Sequence, residues 1–472
     1  MKVCIIVEGA YPYLTGGVSS WLHRMILEFK DVEFVIQTIV VDRNQKREIK
    51  YKIPKNVSEI REVYLFDDDY GSRSEKICFS TQEYDAFRSL FYGVDVKWDV
   101  IFNFFKKRKR RRISLNEMLG NRDFLELTKE YYADNYSDVV FTDFLWSMRS
   151  MYQPLFTIMK SPLVKADLYH SLSTGYSGII GSMHKFRENK PFLLSEHGIY
   201  TREREEEIIK ADWVKGIYKD LWINQFYKLS DCSYESADAV TSLFQKAAEI
   251  QVDLGCDREK IRVIGNGVDI EQFEHLKTSK ENDEYINIGA VLRVSPIKDV
   301  KTMINSFYLA QQTDKRLKLW IMGPIDENAE YARECKELVS ELRIENVIFT
   351  GTVNVKEYIG DMDFMALSSL SEGQPLVILE GFAAKKPFLV TNVGDCERLV
   401  YGENDGLGDA GIVVPLMNTE KMSKAMIKMA SSKELREQMG MSGYKRAQAF
   451  HRNSEIYNDY FNLYTELIGK KR

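Results

Sequence analysis

Two glutamates separated by seven residues are the first feature of this sequence that could do chemistry. They enclose the segment Glu372-Gly373-Gln374-Pro375-Leu376-Val377-Ile378-Leu379-Glu380. The segment follows a strand predicted over residues 364–367, and Pro375 suits the first position of a helix. A carboxylate at the carboxyl end of a parallel strand can accept hydrogen bonds from sugar hydroxyls, and a helix start offers N–H groups to an anion. The alternative is two solvated glutamates at an ordinary helix start.

Two cations come from a second segment, Arg293-Val294-Ser295-Pro296-Ile297-Lys298. It directly follows a strand predicted over residues 286–292, so both cations are expected at the same sheet edge as Glu372. There Arg293 could bind a diphosphate through two parallel N–H groups, and Lys298 could bind it as a point charge. Each close charge pair is worth up to about 4 kcal/mol of gross Coulomb energy at an effective dielectric near 20. An ordinary surface arginine and lysine would show the same pattern.

A histidine could join these groups from another part of the chain. His197 ends a strand predicted over residues 192–195, in the stretch Leu194-Ser195-Glu196-His197-Gly198-Ile199-Tyr200. At that place it would face the Arg293 and Glu372 groups, although a lone histidine at a strand end is more often structural. His170 ends another predicted strand and is a weaker candidate.

These residues need elements to position them, and short β-rich runs that alternate with amphipathic helical stretches predict parallel sheets covered by helices. Two such sets predict two α/β domains. The predicted strands of the first are 3–7, 34–40, 63–66, 168–170, 192–195 and 239–242. Those of the second are 286–292, 317–322, 347–350, 364–367 and 388–391.

The boundaries follow from turns and polar stretches. A hinge is predicted at residues 264–269, followed by a polar linker near 277–284, which gives domains at 1–275 and 284–450. Residues 451–472 have helical spacing and are predicted to return to the first domain. The segment from about residue 67 to 160 is rich in aromatic and charged side chains and does not fit the alternation of strands and helices. It is interpreted as an insertion of unassigned topology in the first domain.

Length and composition restrict the class of protein. The chain has 472 residues, 44% hydrophobic and 29% charged, which is typical of a folded protein of two to three domains. The net charge of −5 excludes a globally basic nucleic-acid binder. No stretch approaches 18 apolar residues and the first strand is too short for a signal peptide, so a cytoplasmic location is expected. Six scattered cysteines form no metal-ligand pattern.

Two charged runs allow further interpretations. Asp67-Asp68-Asp69 resembles a metal-binding Asp-x-Asp motif, but the following Tyr70-Gly71-Ser72 favours a solvated turn. The seven cations of Lys106-Lys107-Arg108-Lys109-Arg110-Arg111-Arg112 are typical of a solvated loop. They could also bind an anionic membrane or an acidic partner, at about 1 kcal/mol per cation near a charged leaflet. Nucleic acid is not expected as a partner.

Taken together, the motif Arg-x4-Lys followed by Glu-x7-Glu resembles family 4 of the retaining glycosyltransferases. This family has the GT-B fold, in which two Rossmann-like domains face each other across a cleft, and it uses nucleotide sugars. Gly16-Gly17 resembles the family's glycine-rich loop, and Asn266-Gly267-Val268-Asp269 resembles its segment before the linker. Gly323, Gly351 and the turn at 394–397 also have counterparts, so the resemblance covers about residues 1–30 and 165–470.

The resemblance implies roles for the candidate residues. Arg293 and Lys298 would hold the donor diphosphate, Glu380 the ribose hydroxyls and Glu372 the transferred sugar. His197 would lie beside that sugar, and the backbone near Val353 would face the base. The other residues expected at the donor are Gly16, Gly17, Gly373, Gln374, Pro375 and Leu376. Neither a metal nor a cofactor is required, because Arg293 and Lys298 take the metal's place at the diphosphate.

Within the family, the sequence most resembles the PelF subfamily, whose members are soluble transferases of Pel-type exopolysaccharide systems. Three features carry this resemblance. These features are the segments 9–21 and 196–203 and the long insertion. The expected reaction is transfer of a hexose or N-acetylhexosamine from a UDP-sugar to a growing exopolysaccharide or related glycan acceptor, with retention of configuration. Two alternatives stay open. One is a UDP-sugar epimerase of the same fold, and the other is a non-catalytic nucleotide-sugar-binding subunit of a membrane assembly.

Overall fold

Two parallel β-sheets organise the chain. The computed structural model describes residues 1–66, 77–107, 114–276, 278 and 284–470. Its backbone divides into two units, one of Met1–Val263 with Tyr460–Arg472 and the other of Ile264–Asp459. The aspartates at 67–69 and the cations at 108–112 lie outside the described residues.

The first unit contains a sheet in the order β3-β2-β1-β4-β5-β6-β7 with every neighbouring pair parallel. Its strands are β1 (Lys2–Glu8), β2 (Glu33–Val40), β3 (Val57–Tyr64), β4 (Leu168–Ser171), β5 (Phe192–Glu196), β6 (Ala239–Ser242) and β7 (Ile261–Val263). The interior of β1 is a continuous apolar run and is buried throughout, as expected of a central parallel strand covered on both faces.

Helices cover this sheet and form the insertion. They are α1 (Gly17–Glu28), α2 (Thr81–Tyr92), α3 (Trp98–Lys106), α4 (Leu115–Leu119), α5 (Arg122–Asn135), α6 (Phe141–Lys160), α7 (Tyr176–Glu188), α8 (Tyr200–Lys210), α9 (Lys219–Ser236) and α10 (Gln245–Asp253). No helix in the described part of the chain is both long and apolar enough to span a membrane.

The insertion is helical where the structure describes it. Helices α2 to α6 lie between β3 and β4, and their aromatic side chains pack on one another. Phe91 stacks on Tyr152 with ring centroids 4.8 Å apart, and Phe124 lies edge-on to both rings. The aromatic residues that obscured the strand–helix alternation therefore form the interface between these helices.

The second unit has the sheet order β10-β9-β8-β11-β12-β13, again parallel. Its strands are β8 (Ile286–Val291), β9 (Leu317–Met322), β10 (Val347–Gly351), β11 (Phe364–Leu367), β12 (Phe388–Thr391) and β13 (Gly411–Val414). Its helices are α11 (Val300–Thr313), α12 (Ala329–Glu341), α13 (Lys356–Ile359), α14 (Leu376–Ala383), α15 (Cys396–Tyr401), α16 (Thr419–Ser431) and α17 (Lys433–Phe450). A last helix, α18 (Asn453–Gly469), belongs to the first unit from Tyr460 onward.

The structure differs from the predicted strands mainly at sheet edges. The third strand covers Val57–Tyr64 instead of 63–66, and β7 and β13 were not predicted. An edge strand has only one neighbour, so it tolerates the polar residues of β3 (VSEIREVY) and the short length of β7. A hydrophobic pattern indicates such strands poorly.

Candidate active site

The strand order of the second unit reverses between β8 and β11, which are neighbours in the sheet although two strands separate them in the sequence. The connections from β8 and β11 run in opposite directions, so a crevice opens at the carboxyl ends of the two strands. Arg293 and Lys298 follow β8, and Glu372 follows β11. The topology therefore brings both sequence motifs to the same crevice.

Lys298 and Glu372 form an ion pair between Nζ and Oε1. Their side chains are only 18% and 12% exposed, so the pair is largely shielded from water. The same Oε1 accepts a hydrogen bond of 2.6 Å from the Ser369 hydroxyl. One carboxylate oxygen of Glu372 thus binds both the Lys298 ammonium group and a hydroxyl in the loop after β11.

Backbone contacts hold the two loops in register. The Leu370 N–H donates to the Ile297 carbonyl at 2.8 Å, and the Ser368 hydroxyl donates to the Lys298 carbonyl at 2.7 Å. Residues Pro296–Lys298 form a short 3-10 turn, and the Asp299 carboxylate then caps α11 through the Thr302 N–H. These bonds restrict where the Lys298 ammonium can lie.

Arg293 has a different partner. Its Nη1 lies 3.0 Å from Oε2 of Glu327 in the loop after β9, and the two side chains are 58% and 51% exposed. The structure thus places Arg293 at the predicted sheet edge but pairs it with a glutamate that sequence reasoning did not select. An exposed ion pair of this kind is weak, so the guanidinium can exchange partners at little cost.

Gln374 has an internal role, because its side chain is buried. Its Oε1 accepts from the Asn266 N–H, and its Nε2 donates to Asp395 Oδ2 at 2.6 Å. Asp395 in turn binds the Arg398 guanidinium through both carboxylate oxygens. The Asn266-Gly267-Val268-Asp269 segment and the loop that carries Glu372 are therefore joined through a single glutamine.

The helix after this loop begins one residue later than predicted, at Leu376, with Pro375 as the residue before it. Glu380 is the fifth residue of α14 and is half-buried. Gly373 is contacted from the next loop, since the Asp395 N–H donates to its carbonyl at 2.9 Å. Val353 follows β10 and packs against the core.

Gly394 allows this close approach. Its φ of +53° suits glycine, and a Cβ there would lie 2.2 Å from the Glu372 carbonyl oxygen. The neighbouring loop therefore supports the backbone at Glu372 directly. Only a residue without a side chain fits at this position.

In the first unit, His197 directly follows β5. The residue is half-buried, and its Nε2 is shielded from solvent and has no hydrogen-bond partner among the described residues. The Trp21 ring lies edge-on to the imidazole with centroids 4.4 Å apart. Desolvation of the ring lowers the pKa of His197 to about 4, so the imidazole is neutral at physiological pH. Gly16 and Gly17 are exposed at the start of α1.

The other strand-end histidine, His170, is completely buried. Its Nδ1 lies 2.7 Å from the Tyr464 hydroxyl and its Nε2 lies 2.7 Å from the Ser195 hydroxyl. Burial lowers its pKa to about 3. Both ring nitrogens are occupied within the protein, so His170 has a structural role.

Three further residues of these loops and strand ends gave little or no signal in the sequence. Ser369 and Glu327 are of common types and reveal their partners only in the fold. Glu8 ends β1, where its Oε1 accepts from the Ser177 N–H at 2.8 Å and the Ser173 hydroxyl at 3.1 Å. Its place at a strand end was the available clue.

Comparison with known proteins places the chain in a family. Residues 1–259, more than half of the chain, match the family described as "Domain of unknown function (DUF3492)". The chain belongs to the DUF3492 family. In this DUF3492 protein, residues 283–432 match the family described as "Glycosyl transferases group 1". That match covers β8 to α16 and includes Arg293, Lys298, Glu372 and Glu380.

Three known proteins are similar to this chain in sequence or in fold. An uncharacterized glycosyltransferase of Methanocaldococcus jannaschii is 24% identical over 60% of this chain and 71% of its own. Sucrose-phosphate synthase from Thermosynechococcus elongatus has a TM-score of 0.62 at 15% identity, over 99% of both chains. Anabaena HepE in complex with UDP and glucose also has a TM-score of 0.62, at 13% identity, over 98% of this chain and 99% of HepE.

The expected fold class is confirmed, because two parallel-sheet, Rossmann-like units match the structures of GT-B glycosyltransferases. The match to the group 1 glycosyl transferases and the archaeal relative support glycosyltransferase activity for the DUF3492 protein.

Proposed function

We propose that this protein is a retaining glycosyltransferase that moves a hexose or N-acetylhexosamine from a UDP-sugar to a glycan acceptor. The observation that carries the proposal is the shielded Lys298–Glu372 ion pair in the crevice between β8 and β11. A cation and a carboxylate from separate loops meet where an α/β sheet binds nucleotides.

The diphosphate of the donor is the group that these cations suit. As the bond from the sugar to the diphosphate breaks, negative charge grows on the departing nucleotide. Lys298 lies in a fixed position to offset that charge, and Arg293 can leave the exposed Glu327 to add a bidentate contact. With two cations available, this proposal needs no metal ion at the diphosphate.

The remaining contacts to the donor follow the resemblance to glycosyltransferase family 4. Glu380, half-buried on α14, would hold the ribose hydroxyls, and the backbone at Val353 would face the base. Glu372 and Gly373, with the start of α14 at Pro375 and Leu376, would surround the sugar and the phosphate. A UDP-sugar donor is further supported by HepE, a protein of similar fold that binds UDP and glucose.

His197 is proposed to contact the transferred sugar. A neutral imidazole whose Nε2 has no partner among the described residues offers one hydrogen-bonding nitrogen to a hydroxyl. Front-face attack would retain the configuration, with the donor diphosphate accepting the acceptor's proton. This part of the mechanism rests on the family resemblance.

The acceptor is proposed to be a growing exopolysaccharide of the Pel type. The segments 9–21 and 196–203 support this assignment through their resemblance to the PelF subfamily. Residues Lys106–Arg112 are proposed to attach the protein to an anionic inner-membrane surface or to a membrane subunit. Replacing these residues with serine, or raising the salt concentration, should reduce co-sedimentation with anionic liposomes. Unchanged co-sedimentation in both cases contradicts attachment to the lipid.

The activity is tested by incubating the protein with UDP-glucose, UDP-GlcNAc and UDP-GalNAc, with and without acceptor oligosaccharides, and measuring UDP release. Transfer with retained anomeric configuration supports the proposal. Formation of a different UDP-sugar without an acceptor indicates an epimerase. Binding of UDP without turnover under any condition indicates a nucleotide-sugar-binding subunit.

Variants connect the activity to the crevice. Lys298→Ala and Glu372→Ala should each lower turnover by a factor of about 10² to 10³, as removal of a transition-state contact does. Lys301→Ala and Glu334→Ala are matched controls, because these residues form a 2.8 Å ion pair on neighbouring helices of the same unit with both side chains 41% exposed. Equal losses in the test and control pairs would contradict the site assignment.

A further inference from the structure

His197 lies at the end of a row of three rings that contact one another edge to face. Trp21 on α1 is almost completely buried and contacts the imidazole edge-on at 4.4 Å. On its other side, Trp21 meets the Tyr460 ring of α18 at 5.2 Å, also edge-on. Tyr460 is 1% exposed. The orientation of the His197 ring therefore depends on two side chains far from it in the sequence.

Hydrogen bonds hold the Tyr460 end of this row of rings. The Tyr460 hydroxyl lies 3.1 Å from Thr241 Oγ1, and the Thr241 hydroxyl donates to Ser195 Oγ at 2.6 Å. Ser195 lies two residues before His197, on the same strand end. Both ends of this row of rings thus connect to the end of β5, one through the His197 ring and the other through hydroxyl groups.

We propose that Trp21 and Tyr460 are positioning residues for the proposed reaction, fixing the orientation in which the His197 ring meets the transferred sugar. The proposal rests on the proposed function only for the identity of that substrate. Both side chains are almost completely buried, so we expect them to act through His197. The last helix of the chain would in this way support the site as well as complete the first unit.

A second tyrosine of the same helix provides a matched control. Tyr464 is fully buried like Tyr460, but its hydroxyl binds His170 and its ring contacts Phe29, without a ring contact to Trp21 or His197 in the described structure. Tyr464→Phe removes the hydroxyl bound to His170, which itself contacts Tyr460 and Ser195, but it keeps the ring contacts of Trp21 with His197 and Tyr460.

The experiment compares Trp21→Leu, Tyr460→Leu and Tyr464→Phe by steady-state kinetics and by histidine-selective NMR titration, with His197→Gln assigning the His197 signal. In Trp21→Leu, kcat should fall by about tenfold to 10²-fold, because a misplaced group loses its transition-state contact, while the KM for the donor stays within about threefold. Water reaching the ring should raise the His197 pKa from about 4 by one unit or more toward 6.5. His170, the titratable group that faces His197, is monitored in the same spectra.

Each result decides the proposal. Loss of kcat and a shifted His197 signal in the Trp21 and Tyr460 variants, with a near-normal Tyr464→Phe, support it. Wild-type kcat and titration in Trp21→Leu, or equal changes in Tyr464→Phe, overturn it. If Trp21→Leu does not fold, Trp21→Phe takes its place. That variant should keep most of the activity and should show a smaller shift of the His197 pKa. If the wild-type protein transfers no sugar, the titration still reports whether Trp21 holds His197, so failure of the proposed function is distinguishable.

Discussion

Removing Lys298 should have two separable effects, one on stability and one on catalysis. The Lys298–Glu372 pair is about one-sixth exposed, so breaking it leaves a partly desolvated carboxylate that still accepts a hydrogen bond from the Ser369 hydroxyl. The gross Coulomb energy of about 4 kcal/mol at an effective dielectric near 20 is an upper bound. The desolvation of the lysine in the wild-type protein offsets part of this energy, so a net cost of about 1–2 kcal/mol remains, between the values for exposed and buried pairs.

This cost corresponds to a fall of about 2–8 °C in the thermal midpoint of a unit of this size. The assay is a double-mutant cycle of Lys298→Ala and Glu372→Gln, with the melting of the second unit and the affinity for UDP measured for each protein. Because the two side chains are in contact, the double variant should be less destabilised than the sum of the single variants by about 1 kcal/mol. The Lys301 and Glu334 cycle should show a coupling below that value, since both of those side chains are more exposed.

Catalysis should respond differently. In Lys298→Ala the departing diphosphate loses a fixed positive charge, which costs about 3–4 kcal/mol of transition-state stabilisation, or a factor of about 10² to 10³ in turnover. Strict additivity of the stability effects, together with wild-type turnover in Lys298→Ala, would refute both the ion pair and its proposed role.

Three further predictions concern two buried titratable groups and the glycine beside the Glu372 backbone. Burial lowers the pKa of His184 to about 3, so its contribution to stability is complete above pH 6.5 and is lost as the pH falls, at about 1.4 kcal/mol per pH unit. Urea denaturation at pH 5, 6 and 7 should therefore show a flatter dependence for His184→Gln, and equal slopes would contradict this. Burial also lowers the pKa of Lys228 to about 7 from 10.5, so the wild-type protein should gain stability relative to Lys228→Met as the pH rises from 7 to 10. Gly394→Ala should abolish UDP binding, because the added Cβ would displace the Glu372 backbone. Gly406 is the control: it has a φ of +68° and no atom within 4 Å of its Cβ position, so Gly406→Ala should cost only about 1 kcal/mol of backbone strain. Calorimetric titration with UDP compares the two variants, and equal affinities for UDP would contradict the close contact at Gly394.

The sequence by itself determined most of the central strands and the alternation of strands and helices around them. Apolar runs of strand length alternate with helical spacing because parallel strands are covered on both faces, and this alternation predicted two α/β units and the strand ends that carry Arg293, Lys298, Glu372 and His197. It was weak at the edges, where β3 and β7 need little apolar surface, and in the insertion, where helices bury aromatic residues against one another.

The tertiary structure alone decided which side chains meet. Lys298 and Glu372 are 74 residues apart and come together because β8 and β11 are neighbours in the sheet, which no local pattern encodes. The fold likewise buried Gln374 among internal partners and paired Arg293 with Glu327. Long-range contacts of this kind depend on strand order and loop geometry, so the sequence could nominate the candidate residues, and only the folded chain could assign their partners.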